Sequence, residues 1–102
     1  MKNRSRNEII ASILEIISRG RSATTTRTKI MYGSFVSYNQ LNEYLLLLLE
    51  NNLISQHHQQ HKKKNERDSP LFMITEKGTQ FLTVYNQMNE MITTTTTLIQ
   101  TN

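Results

Sequence analysis

Ile9, Ile10, Ile13, Leu14, Ile16 and Ile17 recur at three- and four-residue intervals, the spacing that lines one face of an α-helix. Ser5 stands three residues before Glu8, which predicts a capping box in which each side chain bonds the other's backbone N–H. Gly20 is expected to stop this helix, as a residue that tolerates a left-handed backbone. The following Ser22 to Thr26 is short and β-branched, and fits either a minimal strand or a loop. Thr26 is placed to cap a second helix, which carries Ile30 and Met31 and stops near Gly33 and Ser34. Ser37 with Gln40 forms another capping box, and Val36 with Leu41 has the spacing of a hydrophobic staple. A third helix is therefore predicted from about Tyr38 to Glu50, with Leu41, Tyr44, Leu45, Leu48 and Leu49 on its apolar face. Asn51 and Asn52 follow, and asparagine is the next-best residue after glycine for a left-handed stop. Two helices joined by three or four residues, the second firmly capped, read as a helix-turn-helix.

Beyond it, Leu53 to His57 and Leu71 to Ile74 read as strands, separated by a polar and charged stretch that Pro70 closes. This is a β-hairpin with a long basic tip. Thr75 then caps a last helix that opens with Glu76 and carries Phe81, Leu82, Tyr85, Met88 and Ile92. Phe81, Tyr85, Met88 and Ile92 are spaced four, three and four residues apart, the pattern of a coiled-coil seam. Five threonines at 93–97 lower helix propensity by about 2–3 kcal/mol in total relative to alanine. Fraying or disorder is expected over 93–102 unless a partner chain holds it. The fold class is mainly α with a small β-hairpin, in the order helix, optional short strand, helix, helix, strand, wing, strand, helix.

The 102 residues amount to one domain, large enough to fold around a single core. With no cysteine, disulfides and thiolate metal sites are excluded, and an intracellular setting is mildly favoured. No apolar run approaches the roughly 20 residues that cross a bilayer, and the basic start Met1 to Arg6 is not followed by a signal-peptide core. A net charge of +4 points weakly to a polyanionic partner. Its distribution says more: Arg4, Arg6, Arg19, Arg21, Arg27 and Lys29 crowd the first third, and Lys62, Lys63, Lys64 and Arg67 form a second cluster. Between them, residues 37–56 hold Glu43 and Glu50 but neither lysine nor arginine.

Several ordered segments resemble archaeal winged-helix regulators. They are Arg4 to Ile10, Thr26 to Tyr32, Ser37 to Leu41, Tyr44-Leu45, Asn52 to Ile54 and Thr75 to Leu82. The likeness spans about residues 4–88, and departs at Asn52, where the family prefers glycine, in the leucine run of the third helix, and in the threonine tract. It implies a winged helix-turn-helix DNA-binding domain over 1–75 and a C-terminal dimerisation helix over 76–92, with a threonine-rich tail over 93–102. In this family the last helix commonly pairs with its twin as an antiparallel coiled coil. Some members are described as chromatin-like DNA binders and others as transcription factors.

On such a fold the third helix is the candidate reader, its first turns meeting base edges in the major groove. Tyr38, Asn39, Gln40, Asn42 and Glu43 occupy those turns. Asparagine and glutamine bond adenine N6 and N7, and glutamate accepts from cytosine N4. The plainer alternative makes them the solvated face of an amphipathic helix. Lys62, Lys63, Lys64 and Arg67 on the wing suit phosphate or minor-groove contact, against the alternative of a solvated charge run. Arg4, Arg6, Arg27 and Lys29 would clamp phosphates beside the helix-turn-helix. Thr26, Thr28 and Ser37 would add hydroxyls, with the N-terminus of the second helix as a phosphate seat. For each, ordinary surface polarity is the competing reading.

His57, His58 and His61 lack the spacing and companions of a metal site, so no metal is expected. Neither a glycine-rich phosphate loop nor a nucleophile with a base is present, so no enzyme, cofactor or small-molecule ligand is inferred. Phe81, Tyr85, Met88 and Ile92 are expected to form a homodimer interface, although the helix could instead fold back and finish the monomer core. The expectation is a double-stranded DNA binder, a cytoplasmic, nucleoid-associated transcriptional regulator or chromosome organiser. Its leading rival is a protein-interaction winged helix, and RNA binding comes third because an aromatic stacking platform is missing.

Overall fold

The computed structural model describes residues 4–58 and 70–101, with side chains of the last helix described as far as Ile92. Helix α1, Arg6–Arg19, begins with the expected capping box: the Glu8 N–H donates to Ser5 Oγ over 3.1 Å and the Ser5 N–H donates to Glu8 Oε1 over 2.7 Å. Ile9, Ile10, Ile13, Leu14 and Ile17 are buried along one face. A 3₁₀ turn, Arg21–Ala23, leads into β1, Thr24–Thr26, so the β-branched segment is a strand rather than a loop. Helix α2 spans Arg27–Ser34 and α3 spans Tyr38–Glu50, followed by β2, Ile54–His58, and β3, Pro70–Ile74. Helix α4 runs from Glu76 to Thr101.

Gly20 corrects one expectation. Its backbone is extended (φ −68°, ψ 166°), and the left-handed residues are Ser22 and Ala23 just beyond it, each at φ 56°. Close approach is what requires glycine here, because a Cβ at position 20 would lie 1.8 Å from the Thr24 carbonyl oxygen. Thr24 is held in β1 by its pairing with Met73, so its carbonyl has little room to retreat. Gly20→Ala is expected to destabilise the domain by about 1–3 kcal/mol, the usual scale of overpacking. An unchanged midpoint in urea unfolding would count against this reading.

The three strands form one antiparallel sheet in the order β1-β3-β2, with Thr25 and Gln56 opposite Phe72 from either side. Pro70 is the first residue of β3, paired with His58, a position where a missing N–H is tolerated. Phe72 is fully buried with Ile13, Leu14, Ile17, Ile30, Leu41 and Leu48, so the core lies between the helices and one face of the small sheet. Burying each such side chain favours folding by about 1.5–3 kcal/mol. Val36 and Leu41 are both buried at the start of α3, as the staple requires.

Asn52 adopts the anticipated left-handed conformation, at φ 61°. The corner after α3 is then tied to the start of α4. Thr75 Oγ1 donates to the Asn52 carbonyl over 2.6 Å and accepts from the Gly78 N–H, while Lys77 Nζ donates to the Asn51 carbonyl. A Cβ on Gly78 would lie 2.2 Å from the Leu53 carbonyl oxygen, so the first turn of α4 passes too close to Leu53 for a side chain at position 78. The described helix continues beyond Ile92 through the threonine tract to Thr101. Once a helix is nucleated, each added residue brings a hydrogen bond, whereas each threonine subtracts only some tenths of a kcal/mol.

Candidate nucleic-acid interface

The turn between α2 and α3 is built from both ends. Phe35 ends α2 with a left-handed backbone, φ 57° and ψ 41°, its N–H donating to the Met31 carbonyl. Ser37 caps α3, its Oγ accepting from the Gln40 N–H over 3.1 Å while Gln40 Oε1 accepts from the Ser37 N–H. Arg4 reaches this turn from thirty residues away and donates to the carbonyls of Ser34 at 2.6 Å and Phe35 at 3.3 Å. A cation is thereby fixed where the α2 carbonyls end, a favourable place for it, and beside the N-terminus of the next helix.

The first turns of α3 present Tyr38, Asn39, Gln40 and Glu43 on the exposed surface, with Asn42 half-buried. Asn39, Asn42 and Glu43 share one face by helical spacing. Gln40 is differently placed, because its capping bond uses the amide oxygen that a bidentate adenine contact would need. Tyr38 is more than half exposed.

The basic candidates separate into three settings. Arg6 lines a shallow cleft with Glu43, Tyr44 and Leu47, which sets the start of α1 against the exposed side of α3. Arg27 lies against the body: its guanidinium carbon is 5.8 Å from the centre of the Phe72 ring, and its Nε is buried with no hydrogen-bond partner. Thr28 and Lys29 are exposed on the first turn of α2, and Thr26 Oγ1 caps that turn by accepting from the Lys29 N–H. Lys29 also borders an open cleft of about 680 Å³ with Arg19, Arg21, Ser22, Thr24 and Thr26. Arg19 is ion-paired there with Glu15 at 2.9 Å, an exposed pair of little energetic consequence. Arg19 and Arg21 were legible as charge but not as part of a cleft, since the cleft arises only when β1 folds beside α1.

The hairpin stem is paired as far as His58 and Pro70. Lys62, Lys63, Lys64, Arg67 and His61 lie outside the described residues. His57 Nε2 is within 2.9 Å of Ser55 Oγ. Among the described residues no group of three histidine, cysteine or acidic side chains could hold a metal, and no helix is long and apolar enough to cross a membrane.

Along α4, Phe81 and Leu82 pack against the core and Phe81 stacks on Tyr85 with ring centres 6.5 Å apart. From there the apolar side chains emerge: Val84 is 54%, Met88 56% and Ile92 64% exposed. A groove of about 400 Å³ follows this stripe, lined by Leu53, Phe81, Val84, Tyr85 and Met88, with Asn7 and Lys77 among the polar residues at its edge. The helix therefore finishes the monomer core with its first turns only.

A capped helix pair, α1 packed against it and a three-stranded sheet that contains the β2–β3 hairpin stem define a winged helix-turn-helix domain. The chain belongs to the winged helix-turn-helix family, whose model matches residues 3–93. The fold is similar to that of Sso10a-2, a DNA-binding protein from Sulfolobus solfataricus, at TM-score 0.72 and 21% identity over 96% of this chain and 92% of that one. A PadR-like transcriptional regulator from Bacillus cereus matches at TM-score 0.73 and 21% identity, over 92% of each chain. Sco3205, a MarR family transcriptional regulator from Streptomyces coelicolor solved in complex with DNA, matches at TM-score 0.63 and 12% identity, over 74% of this chain and 44% of that one. No curated protein shows a significant sequence match.

Proposed function

We propose that the chain binds double-stranded DNA as a transcriptional regulator or chromosome-organising protein, with α3 in the major groove. The observation that carries this reading is the capped start of α3, where Asn39 and Glu43 stand exposed beside Asn42 and Arg4 is fixed to the preceding turn. Membership of a winged helix-turn-helix family and a fold shared with DNA-binding proteins support it. Asn39, Asn42 and Glu43 read base edges with Tyr38 beside them, and Gln40 serves chiefly as the cap. Arg4, Arg6, Thr28 and Lys29 position the duplex by its phosphates, with Thr26 and Ser37 ordering the helix ends. Arg27 contributes its charge from the edge of the core. Lys62, Lys63, Lys64 and Arg67 on the wing add contacts to the backbone.

Two copies act together, joined along Phe81, Tyr85, Met88 and Ile92 of α4. Such a dimer sets two α3 helices on one duplex, about one helical turn or a multiple apart. The place of action is the nucleoid.

Asn39→Ala and Asn42→Ala are expected to fold normally and to relax sequence preference, each lost base contact reducing discrimination by about 1–3 kcal/mol. Selection of binding sites from random duplex DNA by both variants checks this. If both retained the wild-type preference, α3 would not be the reading element. Binding by the wild type should also weaken steeply with salt, because protein cations that neutralise phosphates release counterions. A domain that only docks a protein partner would leave DNA unbound at every salt concentration.

A further inference from the structure

Phe35 is doubly misplaced in the isolated chain. Its side chain is 85% exposed, and its backbone is left-handed, a conformation that suits glycine or asparagine far better than an aromatic residue. A glycine would make the same N–H bond to Met31 and end α2 equally well. The ring thus brings nothing to the folded domain that a smaller residue would not. Its surroundings say what it meets: Arg4 is bonded to the Phe35 carbonyl, the N-cap of α3 lies at Ser37, and no acidic residue occurs between Glu15 and Glu43. An apolar group stands in a wholly basic and neutral segment, continuous with the base-reading turns of α3.

We propose that Phe35 is an additional specificity residue that packs its ring on the C5-methyl group of a thymine in the major groove. The thymine methyl is the apolar feature a base pair offers there. Asn39 and Asn42 are suited to adenine, whose partner carries that methyl in the same groove. This inference rests on the DNA-binding reading above and assigns one further base contact within it. A duplex explains the ring better than a protein partner does, because the positive dipole end of α3 and the Arg4 cation border it.

The test compares wild type with Phe35→Gly on a duplex selected by the wild type, with thymine or with deoxyuracil at each position. The variant is expected to melt at or above the wild-type temperature, to bind about tenfold more weakly, and to keep the salt slope, since no phosphate contact is lost. Deoxyuracil at the contacted position should weaken the wild type about fourfold, the worth of one methyl group, and leave the variant unaffected. A variant that melts lower would give the ring a role inside the domain and overturn the proposal, as would a wild type indifferent to deoxyuracil at every position. If Phe35→Gly binds like the wild type while Asn39→Ala still relaxes preference, this inference falls and the α3 reading stands. A wild type that binds no duplex at any salt removes both.

Discussion

Tyr85→Glu combined with Met88→Glu is expected to give a folded monomer whose DNA affinity falls by orders of magnitude. Neither side chain belongs to the buried core or to the partly buried residues packed on it, and Met88 is 56% exposed. The wild type, in contrast, presents an aromatic and aliphatic stripe that runs from the core into solvent. A stripe at coiled-coil spacing is most simply covered by a symmetric copy of itself, in which the same patch serves both subunits. Two carboxylates placed in that seam would be desolvated without partners and would oppose their own images across the two-fold axis. Each protomer would then hold one recognition helix, and the energetic advantage of binding two half-sites from one molecule would be lost. Sedimentation and a salt titration of DNA binding measure both parts. A wild type that sediments as a monomer at tens of micromolar would sink the dimer, whatever the variant does.

Replacement of Lys62, Lys63 and Lys64 by alanine should weaken binding to every duplex about equally. Each lysine that neutralises a phosphate contributes close to one unit to the salt slope, so the slope should flatten by up to ~3 per protomer and affinity near 0.1 M salt fall on the order of a hundredfold. Sequence preference should survive, because phosphates position the protein without identifying bases. An unchanged slope would mean that the wing tip lies away from the duplex. The contrast with Asn39→Ala and Asn42→Ala is the informative part: one change moves affinity and salt dependence, the other moves discrimination.

Local chemistry in the sequence determined most of the fold. Both capping boxes, at Ser5 with Glu8 and at Ser37 with Gln40, occur as the spacing predicts, because a cap satisfies backbone groups within three residues and needs nothing distant. Apolar periodicity likewise marked α1, α3 and the first turns of α4, where Phe81 and Leu82 pack on the core, since the face a helix can bury is set by its own repeat. The left-handed stop at Asn52 followed from the conformational tolerance of asparagine. What the sequence could not determine depends on residues far apart along the chain meeting in space. Gly20 looked like a left-handed stop, yet its role is to let the Thr24 carbonyl pass across the 3₁₀ turn, and the pairing of Thr24 with the distant Met73 holds that carbonyl in place. Arg4, Arg6 and Arg27 were equivalent as charges; tertiary structure set Arg4 on the α2–α3 turn, Arg6 beside Glu43 and Arg27 over Phe72. The exposure of Phe35 was hidden for the same reason: whether an apolar side chain is buried is decided by which surfaces the assembled helices leave uncovered, a property of the packed domain rather than of any segment of it.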